Sequence, residues 1–230
     1  YPLTPMQQSI LLAYISNPDT EAYRIQEAVR LNVAPDEAQM KEVLSKVAAR
    51  YEVLRTSVII HDVEIYRQAI VDRPVGLKYL DYSSMAPEEQ ESAFAAEMEN
   101  DRRCRFDIQH DPLFHVIVAG TGDGNCLLCL SFHHIIVDGW CMGLITDSLT
   151  KALEEVIGMA PEVVYEPVRG KYEQYVRSLG LRNHARSLQY WHDLLAGYNT
   201  KAIIPFDADM TPEESGGSYE EYLDVDSSVM

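Results

Sequence analysis

Ser131-Phe132-His133-His134-Ile135-Ile136-Val137-Asp138-Gly139-Trp140 sets two adjacent histidines at the end of an apolar run, with Asp-Gly following four residues after the second. The run itself, Cys126 to Phe132 (CLLCLSF), is short, nearly free of polar residues and preceded by Gly120-Thr121-Gly122-Asp123-Gly124-Asn125, a turn signal. This predicts a buried strand. Side chains alternate along a strand, so His133 and His134 are expected on opposite faces, with only one addressing a given cavity. An imidazole there suits proton transfer, because its unperturbed pKa lies near neutrality. Trp140 to Ile157 is amphipathic at a helical period. A plainer reading stands beside the chemical one: Asp138 is an N-cap for that helix and both histidines are satisfied core residues.

Outward from this stretch, strand and helix signals alternate irregularly. Thr4 before Pro5 caps a helix that ends at Asn17-Pro18. Tyr23 to Leu31 alternates as a strand. Pro35-Asp36 opens a helix whose apolar face runs through Met40, Val43, Leu44, Val47 and Tyr51. Thr56 to Ile60 and Glu64 to Val71 flank His61-Asp62 as a hairpin, and a short strand follows near Leu77 to Leu80. A helix from Pro87 to Cys104 leads to a second hairpin, Leu113 to Ala119 with Cys126 to Phe132. Its glycine-rich turn is no phosphate loop, because Asn125 replaces a third glycine and a strand follows. Helices at Lys171 to Leu179 and Asn183 to Leu195, a loop or linker at 205–217 and a last strand at Tyr219 to Val225 complete the pattern. The expected fold class is an α/β (α+β) sandwich, a mixed sheet with helices packed on it.

Composition narrows the function. The 230 residues can bury a sizeable core, and 47% hydrophobic with 24% charged residues fits a globular protein. No apolar run approaches membrane-spanning length and no signal segment opens the chain, so a cytoplasmic location is expected. A net charge of −17 argues against a nucleic-acid partner. The four cysteines make no secreted disulfide framework; Cys126 and Cys129 have the spacing of a redox or zinc pair, but on a strand their thiols face opposite ways, and they read as buried small apolar residues. No metal-ligand cluster or nucleophile elbow competes with the central stretch. Of the other histidines, His61 lies in a turn, His110 precedes Asp111-Pro112, and His184 and His192 fall on exposed helix faces. His115, on the neighbouring strand, is a candidate to line the same region as the paired histidines.

The HHxxxDG pattern of His133, His134, Asp138 and Gly139 resembles the signature of acyltransferases built like chloramphenicol acetyltransferase. Four further segments resemble condensation domains of nonribosomal peptide synthetases in particular. Leu3-Thr4-Pro5-Met6-Gln7-Gln8 is similar to that family's opening motif, and Arg50-Tyr51-Glu52-Val53-Leu54-Arg55-Thr56 to its RHExLRTxF motif. Lys171-Tyr172-Glu173-Gln174-Tyr175 resembles its YxD(F/Y) segment, and Tyr190-Trp191-His192-Asp193-Leu194-Leu195 the helix that follows. The order is right and covers essentially the whole chain. Three positions depart: Tyr51 replaces His, Gln174 replaces Asp, and Cys141 stands where Ser often follows DGW. The form LTPMQ with HHIIVDGW is nearer to domains taking a D-configured or epimerisable donor.

The resemblance implies a chloramphenicol acetyltransferase-like fold and amide-bond formation between carrier-bound substrates. The signature sits mid-chain and the family's later motifs, such as IGxFVNT, do not occur. Residues 1–230 are therefore expected to be the N-terminal half of a condensation domain, with the C-terminal half absent and the isolated fragment inactive. His134 is the implied catalytic residue, as general base or as the group that positions the amine. His133, Asp138, Gly139, Arg50 and Arg55 are implied structural residues of the site. Asp138 would support the loop through an ionic contact, with Arg55 or a residue of the absent half as its partner. No cofactor is intrinsic, since phosphopantetheine arrives on donor and acceptor peptidyl carrier proteins; adjacent synthetase modules are the remaining implied partners. Two alternatives stay open: a stand-alone acyltransferase using coenzyme A, and a non-catalytic half that docks a carrier.

Overall fold

Strand β6 (Cys126–His133) is buried along its whole length, which explains why its sequence is an apolar run rather than an alternation. In the computed structural model, which describes residues 1–199 apart from 19, 21, 62 and 162–169, β6 lies inside a four-stranded sheet. Its neighbours are β1 (Arg24–Leu31) and β5 (Phe114–Gly120), both antiparallel to it. Beyond β5 lies β4 (Gly76–Asp81), parallel to β5 and linked to it through helix α3 (Pro87–Arg103). The sheet is thus mixed, as expected, and covered on both faces.

Residues of opposite parity on β6 enter different cores. Leu128, Leu130 and Phe132 pack with Met40, Val43, Leu44 and Val47 of α2 (Glu37–Arg50) and with Ile145, Leu149 and Leu153 of α4 (Gly139–Val156). Leu127 and Cys129 face the other way and join Phe94 of α3. Cys126 belongs to the first cluster and Cys129 to the second, so these thiols do lie on opposite faces. Burial pushes the two thiols up to about 11 and about 12, leaving them protonated and inert at neutral pH.

Helix ends fall where side chains cap them. Thr4 and Gln7 form a reciprocal capping box on α1 (Pro5–Ser16), and Asp36 and Gln39 another on α2. The hairpin of β2 (Thr56–Ile59) and β3 (Arg67–Ile70) is shorter than its sequence suggests. The N-terminal segment lies alongside its second arm, with Leu3 N–H donating to the Tyr66 carbonyl at 3.1 Å and Gln68 N–H to that of Tyr1 at 2.9 Å. β1 begins at Arg24, one residue later than expected, because Tyr23 occupies the left-handed region at φ 70°.

The chain divides into two units, Tyr1–Arg182 and Asn183–Met230. The first ends with α5 (Tyr172–Gly180). The second contains α6 (His184–Leu194), capped by the Asn183 side chain, with Leu188, Tyr190, Trp191 and Leu194 exposed. The expected loop at 205–217 and strand at Tyr219 to Val225 lie outside the described residues. No helix among those described is long and apolar enough to cross a membrane.

Candidate active site

The two histidines part company where β6 ends. His133 is its last residue, and its main-chain N–H donates to Leu113 at 2.9 Å; His134 N–H donates to the Tyr23 carbonyl at 2.7 Å. The left-handed turn at Tyr23 aims that carbonyl across the sheet's edge, an unusual conformation for a residue with a side chain. His133 is 1% exposed. Its ring meets Tyr14 edge-on at 4.6 Å between centroids and lies 5.7 Å from Phe106, on the α3 side. Nδ1 accepts the Ile135 N–H at 3.1 Å, and burial, with Arg24 adding to it, pulls the pKa down to about 3. A ring so held is neutral and structural. His134 is half-buried, and its imidazole makes no hydrogen bond among the described residues. Of the pair, His134 is the one whose ring reaches solvent.

Asp138 caps α4, accepting the Cys141 N–H at 3.1 Å. The Cys141 thiol, then the main-chain N–H groups of Cys141 and Trp140 and the nearby His134 ring, hold the Asp138 carboxyl below the usual range against burial. The expected ion pair with Arg55 is not formed: Asp138 makes no ion pair among the described residues. Arg55 instead donates to the Val71 carbonyl at 3.5 Å, and its buried Nε has no partner among them. Arg50 lies over the ring of Tyr51 and donates to its hydroxyl at 3.2 Å. Tyr51, which stands in place of a histidine, reaches the Ser148 hydroxyl at 2.9 Å and so ties α2 to α4. Gly139 opens α4 with no atom within 4 Å of where a Cβ would stand, so packing in this chain does not demand glycine there. Trp140, on the same turn, is 90% exposed.

His115 does not share the His134 region. It projects to the α3 face, where its Nε2 lies 2.6 Å from Asp101. The same carboxylate receives Ser131 at 2.7 Å and Arg24 at 2.9 Å. Burial works against this anion, but the bond to His115, its charge, and then Ser131 and Arg24 hold the Asp101 carboxyl well below the usual range. Sequence reasoning missed this network, because its members come from α3 and three strands with no shared spacing.

It also missed the internal anchor of the histidine loop. Gln7, buried on α1, donates to the Ile135 carbonyl at 3.0 Å and exchanges amide bonds with Gln68 of β3 at 2.7 and 3.1 Å. The opening LTPMQ segment thus holds the backbone immediately after His134. A polar residue on the buried side of a helix was the available signal. Gln174, another departure, caps α5 through the Lys171 N–H at 3.2 Å. No group of three or more His, Cys, Asp or Glu among the described residues could hold a metal.

Comparison with known proteins agrees with this arrangement: the family model described as condensation domain matches residues 1–228. The chain belongs to the condensation domain family. Gramicidin S synthase 2 of Brevibacillus brevis is 30% identical over 209 residues, spanning 89% of this chain and 5% of that protein. Bacitracin synthase 3 of Bacillus licheniformis is 28% identical over 206 residues, spanning 89% and 3% respectively. Among solved structures, a starter condensation domain of rhizomide synthetase superposes with a TM-score of 0.79 at 22% identity, covering 88% of this chain and 49% of the other. The first condensation domain of the calcium-dependent antibiotic synthetase gives 0.70 at 22%, over 86% and 48%. The chain therefore spans about half of these condensation domain structures and a small part of the curated synthetases. The expected fold, like that of chloramphenicol acetyltransferase, is the one found.

Proposed function

We propose that this chain supplies the HHxxxDG half of a condensation site in nonribosomal peptide synthesis. The observation that carries the reading is His134: a half-buried imidazole beyond the end of a rigid strand, tethered through its backbone, with its ring uncommitted and Asp138 beside it. The donor is an aminoacyl or peptidyl thioester on one carrier protein; the acceptor is an amine on another. Each carrier brings its own phosphopantetheine arm as part of the substrate. The amine nitrogen attacks the thioester carbonyl carbon, the tetrahedral oxyanion collapses, and the C–S bond breaks. The proton lost by the amine leaves with the thiolate, and an amide joins the two residues.

In this reading His134 holds the amine against the carbonyl and is placed to take its proton. His133 gives the loop a packed neutral base, and Asp138 starts α4 so that Gly139 and Trp140 border the reacting groups. The second wall belongs to the C-terminal half of the domain, and neighbouring synthetase modules provide the carriers. The relatives' names and the span of the match support this assignment.

The test is peptide release from loaded donor and acceptor carriers by the complete domain, with His134→Ala beside the parent. A base of this kind contributes about 10²–10⁴-fold, so a loss in that range is expected with an unchanged circular dichroism spectrum. A pH profile separates the two roles, since loss of a base removes the acidic limb whereas loss of positioning lowers the rate at every pH. Full activity in His134→Ala would sink the assignment. Turnover with free coenzyme A thioesters and no carrier would favour a stand-alone acyltransferase.

A further inference from the structure

Beside the end of β6, a cavity of about 210 Å3 has Tyr14, Arg24, Arg102, Arg103, Arg105 and His133 in its wall. We propose that this cavity binds a phosphate group. The inference is independent of any role for His134.

The first support is His133. It is 1% exposed, and its Nε2 is buried with no partner among the described residues. Nδ1 already accepts the Ile135 N–H, so the proton of the neutral ring resides on Nε2. A buried N–H without an acceptor is costly, about 1–3 kcal/mol, so a ligand carrying acceptors is favoured here. A single water would satisfy that one donor but occupies only about 30 Å3 in the liquid, a small part of the space.

The second support is the rest of the wall. Arg24 lies over the Phe106 ring at 4.0 Å and Arg105 over the Tyr14 ring at 3.9 Å, so both guanidinium groups are held in place by aromatic faces. Arg24 is paired with Asp101, and Arg102 and Arg103 both pair with Glu99. Arg105 donates to backbone carbonyls of Tyr14, Asn17 and Pro18. Among the described residues, four cations thus meet two carboxylates in these pairs. Asp19 and Glu21 flank Thr20 in the sequence but lie outside the described residues. The Tyr14 hydroxyl is used up in donating to the Phe106 carbonyl. Guanidinium groups and an imidazole N–H in one wall suit a tetrahedral oxyanion, whose oxygens accept from several directions, and disfavour a cation.

The experiment uses the isotopically labelled 230-residue chain at constant ionic strength. Inorganic phosphate is added in one titration and glycerol 3-phosphate in another, with the His133 Nε2 and Arg105 Nε resonances followed by NMR. A saturable shift at His133 with no matching change at His134 is expected. Response to phosphate alone assigns the cavity to the free ion; response to glycerol 3-phosphate assigns it to a phosphate ester. Arg105→Gln and His133→Phe should each weaken binding about 10–100-fold, the worth of a hydrogen bond to a charged group. Arg177→Gln, an exposed control on α5, should leave it unchanged. Thermal melts show which variants are folded, and if His133→Phe is not, Arg105→Gln decides alone. No saturable shift at His133 with either ligand overturns the proposal, as does undiminished binding in Arg105→Gln that melts like the parent.

Discussion

Burial holds the folded His133 imidazole at about 3, whereas an unfolded chain titrates it near 6.5. Between those values the unfolded state binds a proton that the folded state refuses, so stability rises with pH through this window and is lost on acidification. The slope from one such group is about 1.4 kcal/mol per pH unit. Taking the protein from pH 7 to pH 5 should therefore cost about 2 kcal/mol more in the parent than in His133→Phe, which keeps a ring but has no titrating group. Urea melts of both proteins at the two pH values measure the difference, and parallel pH dependences would show that the ring is not held neutral. That only one of the paired histidines would address a given cavity was expected from the two-residue period of a strand. Which of them is sealed was not, because Tyr14 and Phe106 reach His133 from distant parts of the chain.

At the scale of elements, the loop after His134 is held between α1, β3 and α4. Gln7→Leu strands the Ile135 carbonyl and one face of the Gln68 amide, and should cost about 1–3 kcal/mol. Adding Gln68→Leu should cost less than the sum of the single changes, because the two amides satisfy one another. Denaturant midpoints of the three variants test this coupling, and strict additivity would break the proposed strut. Asp138→Ala removes the cap of α4, and should cost about 0.5–2 kcal/mol, more than His134→Ala does. A loss of about 3–5 kcal/mol would instead reveal a buried ion pair that the described residues do not contain. The helices around this loop were readable from caps and periodicity: Asp138 occupies the N-cap that its position suggested. A partner for Asp138 was expected in Arg55 or in the absent half; Arg55 instead turns to the Val71 carbonyl just after β3.

For the molecule as a whole, the proposed reaction needs two thioester arms held in one enclosed space. Met6 is 70% exposed, Trp140 90% and Leu144 61%, large apolar side chains that this chain leaves uncovered. An electrostatic contact at such an open rim is screened by water, and orientation of two tethered reactants is lost. The 230-residue chain is accordingly expected to fold on its own two-cluster core yet to release no peptide from loaded carriers at a useful rate. Supplying the separately made C-terminal half should restore turnover. A rate from the chain alone equal to that of a complete domain would overturn the half-site reading.

The order of strands and helices, the caps and the burial of β6 were all decided locally. They depend on periodicity, turn residues and steric preference within a few residues of each other, and such information is written directly in the chain. The sequence by itself also carried the family, since five motifs in a fixed order are a one-dimensional pattern. Only the tertiary structure decided that β4 runs parallel to β5, that Gln7 reaches the histidine loop, and that Asp101 gathers Arg24, His115 and Ser131. It alone placed arginines from β1 and the end of α3 in one cavity wall with His133. These contacts join residues as far as 128 positions apart, and which side chains meet at that distance is set by how the layers pack.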